Sequence, residues 1–340
     1  MHSPGGANTK GTGMTQLTRR GMIGSAGLGG LTLSGLLSGT GFAADQPFFA
    51  RTGLPIGLQL YTLADQAQAD LEGTLKAVAA IGFKTIELAG YVGRTPAQLR
   101  AAMDAVGLTT PSAHVQVQAR GGESSLDGDL SRLADEAHVL GVKRIVMPIF
   151  YAPERFEMKP RAGEAFGQLL GRIGGAMTAD DWKFNADFLN AKGAVLKTSG
   201  LKLAYHNHNV EFSPLPGGKP GARTGYEILL ARADPALVEF EMDAGWVAAA
   251  GQDPFALLKT HPGRFTAMHV KDIKATTKPN FVFEQDPTEV GSGMIDWTRL
   301  LPAAYAAGVR DFFVEQEPPF AHSRLESVGI SYGYLSKLKA

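Results

Sequence analysis

The stretch DLEGTLKAVAAIGFKTIELA, which runs from Asp70 to Ala89, places a helix directly before a strand. Apolar residues recur at helical spacing from Asp70 onward, and Gly82 closes the segment as a C-terminal glycine. Residues 85–89 then form the short apolar run that is typical of a buried strand. The stretch therefore predicts one helix-strand unit.

The same unit recurs along the chain. Further helical segments that end in glycine and lead into a strand lie at residues 101–107, 134–141, 188–200 and 300–308. Strands are predicted at residues 56–63, 85–89, 109–117, 144–150, 201–208, 238–242, 265–270 and 311–315. Eight such units predict a single-domain (β/α)8 TIM barrel, with an open doubly wound sheet as the alternative. The longest connection, residues 151–181, is predicted to form a loop or lid over the barrel mouth.

Composition restricts the function. Of the 340 residues, 44% are hydrophobic, and the formal net charge is zero. The chain can therefore bury a large core, and it lacks the basic excess expected of a nucleic-acid binder. Because it has no cysteine, it has neither disulfides nor a thiolate metal site. Any metal ligands must be His, Asp, Glu or Asn.

The first 44 residues predict an export signal. The basic stretch TRRGMI, from Thr18 to Ile23, precedes an uncharged run rich in Gly, Ser and Leu that reaches Ala44. Paired arginines favour the twin-arginine (Tat) machinery as a partner, although Thr18, Met22 and Gly24 depart from its usual motif. We expect cleavage, a barrel over residues 45–340, and a periplasmic or secreted protein without stable membrane association. A plain secretory signal or an uncleaved anchor is the alternative.

Polar residues collect near the predicted strand ends, where TIM barrels place their active sites. They are Gln59, Tyr61, Glu87, His114, His206, His208, Asp243, His269, Lys271 and Glu315. Alternate strand residues share a face, so His206 and His208 point the same way. Each residue alone has a structural explanation; Asp243, for example, could cap a helix. Together, two imidazoles and two carboxylates suit Mn²⁺, Co²⁺, Fe²⁺ or Zn²⁺.

Several segments resemble one known superfamily. They are GLQLYTL at residues 57–63, IELAG at 86–90, YHNH at 205–208 with Glu211 and Phe212, MDAGW at 242–246, MHVKD at 268–272, EVGSG at 289–293 and VEQ at 314–316. Together they resemble the sugar phosphate isomerase/epimerase superfamily, the xylose isomerase-like TIM barrels. The resemblance covers the whole chain after the predicted signal, and it is not specific for one reaction.

The resemblance implies one divalent metal ion, with Mn²⁺ favoured and Co²⁺, Fe²⁺, Zn²⁺ or Mg²⁺ as alternatives. By position, the implied ligands are His206, Asp243, His269 and Glu315. Ketose epimerases of this superfamily carry Glu where this chain has His206, and they use two glutamates as paired acid/base groups. Only Glu315 remains of that pair, which argues against a symmetric two-base reaction. Glu211 could contact either the metal or the substrate.

The resemblance also implies proton chemistry beside a carbonyl, through an enediolate. Glu315 is predicted as ligand and base, and Lys271 as the group that neutralises oxyanion charge. Further acid/base candidates are His208, Glu211 and His114, and predicted substrate contacts are Gln59, Tyr61, Glu87, Trp246 and Glu289.

The expected function is a metal-dependent isomerase or epimerase acting on a small carbohydrate. The alternatives are a lyase or hydrolase that cleaves 3-oxo-glycosides by elimination, and a non-catalytic sugar-binding protein. DNA-repair endonucleases share the fold, but they need a three-metal, His-rich cluster and a basic surface, which this chain lacks. Nucleic acid is therefore not expected as a partner.

Overall fold

The computed structural model describes residues 46–119, 121–219 and 221–340. The predicted export signal lies outside the described residues, so export stays a prediction. Among the helices that are described, none is both long and apolar enough to cross a membrane.

Eight parallel strands close into a barrel, as predicted. The barrel strands are β1 (Gly57–Gln59), β2 (Thr85–Leu88), β3 (Thr109–His114), β4 (Arg144–Met147), β5 (Lys202–His206), β6 (Val238–Asp243), β7 (Phe265–Val270) and β10 (Asp311–Val314). Neighbours in sequence pair around the ring, and β10 closes it by pairing with both β7 and β1. Two short strands, β8 (Asp272–Ile273) and β9 (Pro287–Thr288), form a separate antiparallel pair. The TIM barrel prediction is confirmed.

Helices connect and surround the strands. They are α1 (Phe48–Thr52), α2 (Ala64–Ala69), α3 (Leu71–Ile81), α4 (Pro96–Asp104), α5 (Leu130–Leu140), α6 (Phe166–Ala176), α7 (Ala179–Thr198), α8 (Gly225–Arg232), α9 (Ala244–Ala249), α10 (Pro254–Thr260), α11 (Trp297–Ala307) and α12 (Arg324–Leu335). Two 3-10 turns span Leu60–Leu63 and Val210–Phe212. The helices bury one face against the strands in a single large core.

The first helix-strand unit forms as its sequence predicts. The Asp70 side chain accepts a hydrogen bond from the backbone N–H of Gly73 and so caps α3, and Leu75 and Val78 are among the residues that it buries. Gly82 ends the helix with φ of 125°, a backbone conformation that costs glycine little and other residues more. The chain can then turn directly into β2.

Several predicted boundaries change, and β3 and β4 each end three residues before their predicted ends. Residues 60–63, predicted as strand, form a 3-10 turn because the Gln59 side chain accepts a hydrogen bond from the backbone N–H of Tyr61. Strand β5 ends at His206, so His208 lies in the loop that follows. The connection predicted as a loop over residues 151–181 contains α6 and the start of α7.

An ionic group around the buried Arg144 joins strands at the N-terminal end of the barrel. The Arg144 guanidinium lies 3.1 Å from the Glu239 carboxylate and 2.6 Å from that of Asp311. These residues lie at or near the N-terminal ends of β4, β6 and β10, where TIM barrels carry stability rather than catalysis. An active site is therefore expected at the C-terminal ends of the strands.

The close approach of α7 to the residue before β6 gives a test of the packing. A Cβ added to Gly193 would lie 2.5 Å from the Leu237 carbonyl oxygen, whereas one added to Gly329 in α12 meets nothing within 4 Å. We expect Gly193→Ala to lower the free energy of unfolding by about 1–3 kcal/mol. The matched Gly329→Ala should raise it by about 0.5–1 kcal/mol. Urea unfolding measures both, and equal effects of the two variants would contradict the tight contact.

Candidate active site

Two carboxylates and an imidazole converge where β6, β7 and β10 end. The ring nitrogen His269 Nδ1 lies 2.9 Å from Glu315 Oε2 and 3.7 Å from Asp243 Oδ2. His206 Nε2, at the end of β5, lies 3.9 Å from Asp243 Oδ2. The four residues predicted as metal ligands are thus neighbours in space, and all are buried.

A buried lysine lies in the same cluster. Lys271 Nζ is 2.8 Å from Asp243 Oδ2, 2.8 Å from Glu315 Oε2 and 2.7 Å from Glu317 Oε1. Burial acts to lower the pKa of Lys271, but these carboxylates raise it well above its ordinary value. Burial likewise acts to raise the pKa of Asp243, whereas the charge of Lys271 brings it down to about 2. The lysine and the aspartate are therefore both charged at neutral pH.

A second polar layer lies deeper in the barrel, around two glutamates. Glu241 Oε2 is 2.9 Å from His114 Nε2, 3.1 Å from His206 Nδ1 and 3.3 Å from His269 Nε2. Glu87 Oε2 is 2.7 Å from His269 Nε2 and 3.2 Å from His114 Nε2. His269 thus joins the two layers, with one ring nitrogen facing each.

The imidazoles differ in charge because their neighbours differ. Burial acts to lower the pKa of His114, but the Glu87 and Glu241 carboxylates raise it to about 9. Burial and the charges of neighbouring residues hold the pKa values of His206 and His208 well below the ordinary histidine value. At neutral pH, His114 is a cation, while His206 and His208 are neutral and free to act as ligands or bases.

The cluster of Asp243, His269 and Glu315 at the strand ends has the donor set and spacing for a divalent ion. Ligand atoms at 2.0–2.2 Å from one ion lie roughly 3–3.5 Å apart, and the ligand atoms of Asp243, His269 and Glu315 lie within 4.8 Å of one another. Asp243 Oδ2 is buried and receives no well-directed hydrogen bond among the described residues. The cluster could therefore hold a metal ion, with Lys271 as an additional neighbouring cation.

The cluster borders a large cavity of about 790 Å³ through His206 and Glu315. His114, His208 and Glu317 contribute further polar groups to its wall, whereas Asp243, His269 and Lys271 do not line it. The rest of the wall comes from the loops after several strands, and it combines apolar side chains with the polar side chains of Gln68, Gln116, Glu123 and Ser124. The imidazoles and the carboxylates of Glu315 and Glu317 thus lie on the side of the cavity formed by the strand ends.

Some of the other predicted site residues line the cavity, and others lie outside it. Tyr61 and Trp246 line the cavity. Gln59 lies below it, where its amide nitrogen donates to Glu87 at 2.8 Å. The Glu289 carboxylate accepts a hydrogen bond from Ser327 at 2.7 Å, and the residue does not line the cavity. Glu211 is buried behind the β5 loop, where it accepts hydrogen bonds from the Tyr205 hydroxyl and the His208 backbone N–H.

Three polar residues of the site escaped the sequence analysis: Glu241, Glu317 and Ser112. Glu241 precedes Asp243 by two residues on β6, and Glu317 follows Glu315 by two. Strand alternation was the available signal, since it places Glu241 on the face of Asp243. The Ser112 hydroxyl donates to Glu87 at 2.5 Å, and its sequence context carries no comparable signal.

Comparison with known proteins agrees with this architecture. A family model described as xylose isomerase-like TIM barrel matches residues 75–326. A crystal structure of a sugar phosphate isomerase/epimerase from Parabacteroides distasonis is similar, with 25% identity and a TM-score of 0.66, and the match covers 84% of this chain and 94% of that one.

Curated relatives match over shorter stretches. An inosose dehydratase from Clostridium beijerinckii is 33% identical over 98 residues, which are 28% of this chain and 30% of the relative. Another from Geobacillus thermodenitrificans is 29% identical over 161 residues, which are 43% of this chain and 51% of the relative. The matches thus span about a third to a half of these relatives.

The family model covers well over half of the chain, and the structure is the closed barrel that the model describes. This chain therefore belongs to the xylose isomerase-like TIM barrel family.

Proposed function

We propose that this protein is an enzyme that removes the proton beside the carbonyl of an oxidised sugar or glycoside, and that elimination follows. The observation that carries the proposal is the buried group of Asp243, His269, Lys271 and Glu315 at the strand ends, which reaches the cavity through Glu315. Such a group offers fixed positive charge for a developing oxyanion beside candidate bases.

The comparisons support this class of reaction. Two curated relatives are dehydratases, and the similar Parabacteroides structure is of an isomerase/epimerase. Loss of water and isomerisation beside a carbonyl can both begin with removal of an α-proton. Isomerisation or epimerisation of a keto-sugar is therefore the second candidate, and the Parabacteroides match favours it.

The metal is part of the proposal. Asp243, His269, Glu315 and His206 would hold one divalent ion, for which we favour Mn²⁺. When bound, such an ion polarises a substrate carbonyl and stabilises negative charge on its oxygen.

Lys271 is assigned to the oxyanion. Its three N–H donors face three carboxylates, so it would act through its fixed charge, which needs no reorganisation when negative charge develops beside Glu315 and Glu317 in the cavity wall. It also lies 5.0 Å from the centre of the Trp246 ring, which packs beside it and lines the cavity.

His208 is the candidate for the proton transfer. Its Nδ1 is buried without a hydrogen-bond partner among the described residues, and the side chain lines the cavity. Its pKa lies well below the ordinary value, so the ring is neutral and its nitrogen lone pair is available. Glu315 is the alternative base, and its contacts with Lys271 and His269 likewise hold its pKa well below the ordinary value, so His208 is preferred for its unpartnered Nδ1 and not for its basicity.

Elimination requires one enzyme base, which removes the α-proton. The epimerases of this superfamily use two, one on each face of the sugar. In a 3-oxo-glycoside, the ketone acidifies the proton on C2. Removal of that proton gives an enolate, whose electron pair forms the C1–C2 double bond and expels the aglycone oxygen from C1, which then takes a proton. This agrees with the replacement of the epimerases' strand-five Glu by His206 in this chain.

We also propose that the protein acts outside the cytoplasm. The basis is the export signal predicted from Arg19, Arg20 and the uncharged run that follows. Unphosphorylated glycosides are met there more often than phosphorylated sugars.

A pair of chromogenic substrates tests the reaction. With Mn²⁺ present, we expect release of 4-nitrophenol from its 3-oxo-glucoside and none from the parent glucoside, because only the ketone acidifies the C2 proton. Absorbance of the phenolate follows the release. Release from neither substrate, together with epimerisation of a simple ketose seen by proton NMR in D₂O, would overturn elimination in favour of the second candidate.

Two buried carboxylates test the metal assignment. Asp243→Asn removes a proposed ligand but retains the oxygen that caps α9, so we expect metal affinity to fall at least about tenfold and activity to be lost with it. The matched control Glu211→Gln changes a buried carboxylate outside the cluster and should retain the ion. Metal analysis after dialysis measures both. Loss of the ion from Glu211→Gln would identify Glu211 as a ligand and displace His206 from the set.

Glu211 also gives a pH prediction. Burial raises its pKa from 4.5 to about 7, so the folded state binds a proton that the unfolded state has lost between these values. Stability should therefore fall as pH rises from 4.5 to 7. In Glu211→Gln with EDTA, the stability lost between pH 5 and pH 7.5 should be smaller by about 2 kcal/mol. Urea unfolding at both pH values measures this, and an unchanged loss would show that Glu211 does not titrate in this range.

A further inference from the structure

We infer that the substrate carries an aromatic aglycone and that the outer part of the cavity binds it. This inference rests on the proposed function, since it assumes that the sugar ring reacts at the strand ends. A cavity of about 790 Å³ lies in the upper part of the range for drug-sized ligands. It therefore leaves room for a second ring beside the sugar.

The wall of the cavity has a large apolar part. The part near the strand ends carries the imidazoles and carboxylates described above, and farther out the lining includes Tyr61, Val92, Phe150, Met158, Phe166 and Phe283. Gln68, Gln116, Glu123 and Ser124 also line the cavity, so its polar groups are not confined to the strand ends. Sugar hydroxyls need hydrogen-bond partners when they are buried, and the six apolar and aromatic side chains, apart from the Tyr61 hydroxyl, offer none. The outer part of the wall, meaning the part that these six residues form, is therefore better suited to an apolar group than to a second sugar.

Large apolar side chains are left uncovered around this opening. Tyr61 is 51% exposed, Met158 48% and Phe166 54%, and all three line the cavity. They come from separate segments of the chain, namely the turn after β1, the connection after β4 and the start of α6. Exposed apolar groups that cluster around a concave site mark a surface for a ligand, whereas isolated ones need no explanation.

Backbone strain points to the same wall. In the described ranges, Val92 and Phe283 are the two residues other than glycine with positive φ, at 51° and 59°. Both line the cavity. Glycine would adopt either conformation without strain, and strained residues of this kind concentrate at ligand sites. The chain instead carries an apolar side chain at each position.

Phe283 is held in place by its surroundings. Its ring centre lies 4.8 Å from that of His208 and 5.7 Å from that of Trp246. Its backbone N–H donates to Asn209 Oδ1 at 3.2 Å. Because Gly167 has no side chain, α6 packs closely, and a Cβ there would lie 3.0 Å from Phe283 Cβ. The Phe283 ring is therefore held in place before a ligand binds. A flat ring can pack against it edge-to-face or offset, and little conformational entropy of Phe283 is lost.

Binding of two inert glucosides to the full chain tests the inference without depending on catalysis. We expect phenyl β-glucoside to bind about tenfold more tightly than methyl β-glucoside, measured by titration calorimetry with Mn²⁺. The double variant Met158→Ala/Phe166→Ala removes exposed side chains, so it should fold, and it should reduce this ratio at least threefold. The matched control is Phe184→Ala, whose ring is 48% exposed but lies outside the cavity lining, and it should leave the ratio unchanged.

The outcomes separate the two proposals. Equal affinity for both glucosides, no measurable binding of either, or an equal loss in Phe184→Ala would overturn the aromatic subsite even if 3-oxo-glucosides are cleaved. A phenyl preference that the double variant loses would support the subsite. If the same protein then released no phenol from phenyl 3-oxo-glucoside, the proposed elimination would fail while the subsite stood.

Discussion

The ion pairs of Lys271 with Asp243, Glu315 and Glu317 are the interaction on which the mouth of this barrel depends. Burying a carboxylate is costly unless an opposite charge compensates for it. Here the compensation is mutual, because the residue after β7 supplies the cation Lys271, while β6 supplies Asp243 and the loop after β10 supplies Glu315 and Glu317. The strand ends must stay in register for these distances to hold. The same constraint therefore fixes both the geometry of the site and its charge.

The fold could be predicted because its signals are local. A capped amphipathic helix, a closing glycine and a short apolar strand recur, and each unit is readable without knowledge of the others. The differences came from side-chain contacts that a periodic pattern does not show. The Gln59 side chain bends residues 60–63 into a turn, and α6 forms in a connection that packs on the 3-10 turn at Val210–Phe212 and on residues 281–283, both distant in sequence. A periodic pattern carries no information about such partners.

The site was predictable in part for the same reason. Residues at the strand ends, such as Asp243 and Glu315, are marked by position, and the closed barrel brings them together. Glu241 lies two residues before Asp243 on the same face of β6, below the strand end that marks catalytic positions. Glu289 follows β9 in a loop, and its neighbour Ser327 comes from α12, a pairing that depends on how α12 packs. Position along a strand is thus informative, whereas position along a loop is not.

The charged groups and the apolar side chains of the cavity come from different parts of the fold. The strand ends supply charged groups whose positions the barrel fixes, while the loops after β1, β4 and β7 supply apolar side chains that the barrel leaves free to vary. Similar proteins are named for dehydration and for isomerisation. Both reactions can start from the same α-proton removal, so the strand-end residues alone do not determine which product forms. Under the proposed elimination, that choice falls to the side chains that position the departing group, and we assign this role to the strained and exposed apolar residues of the outer cavity.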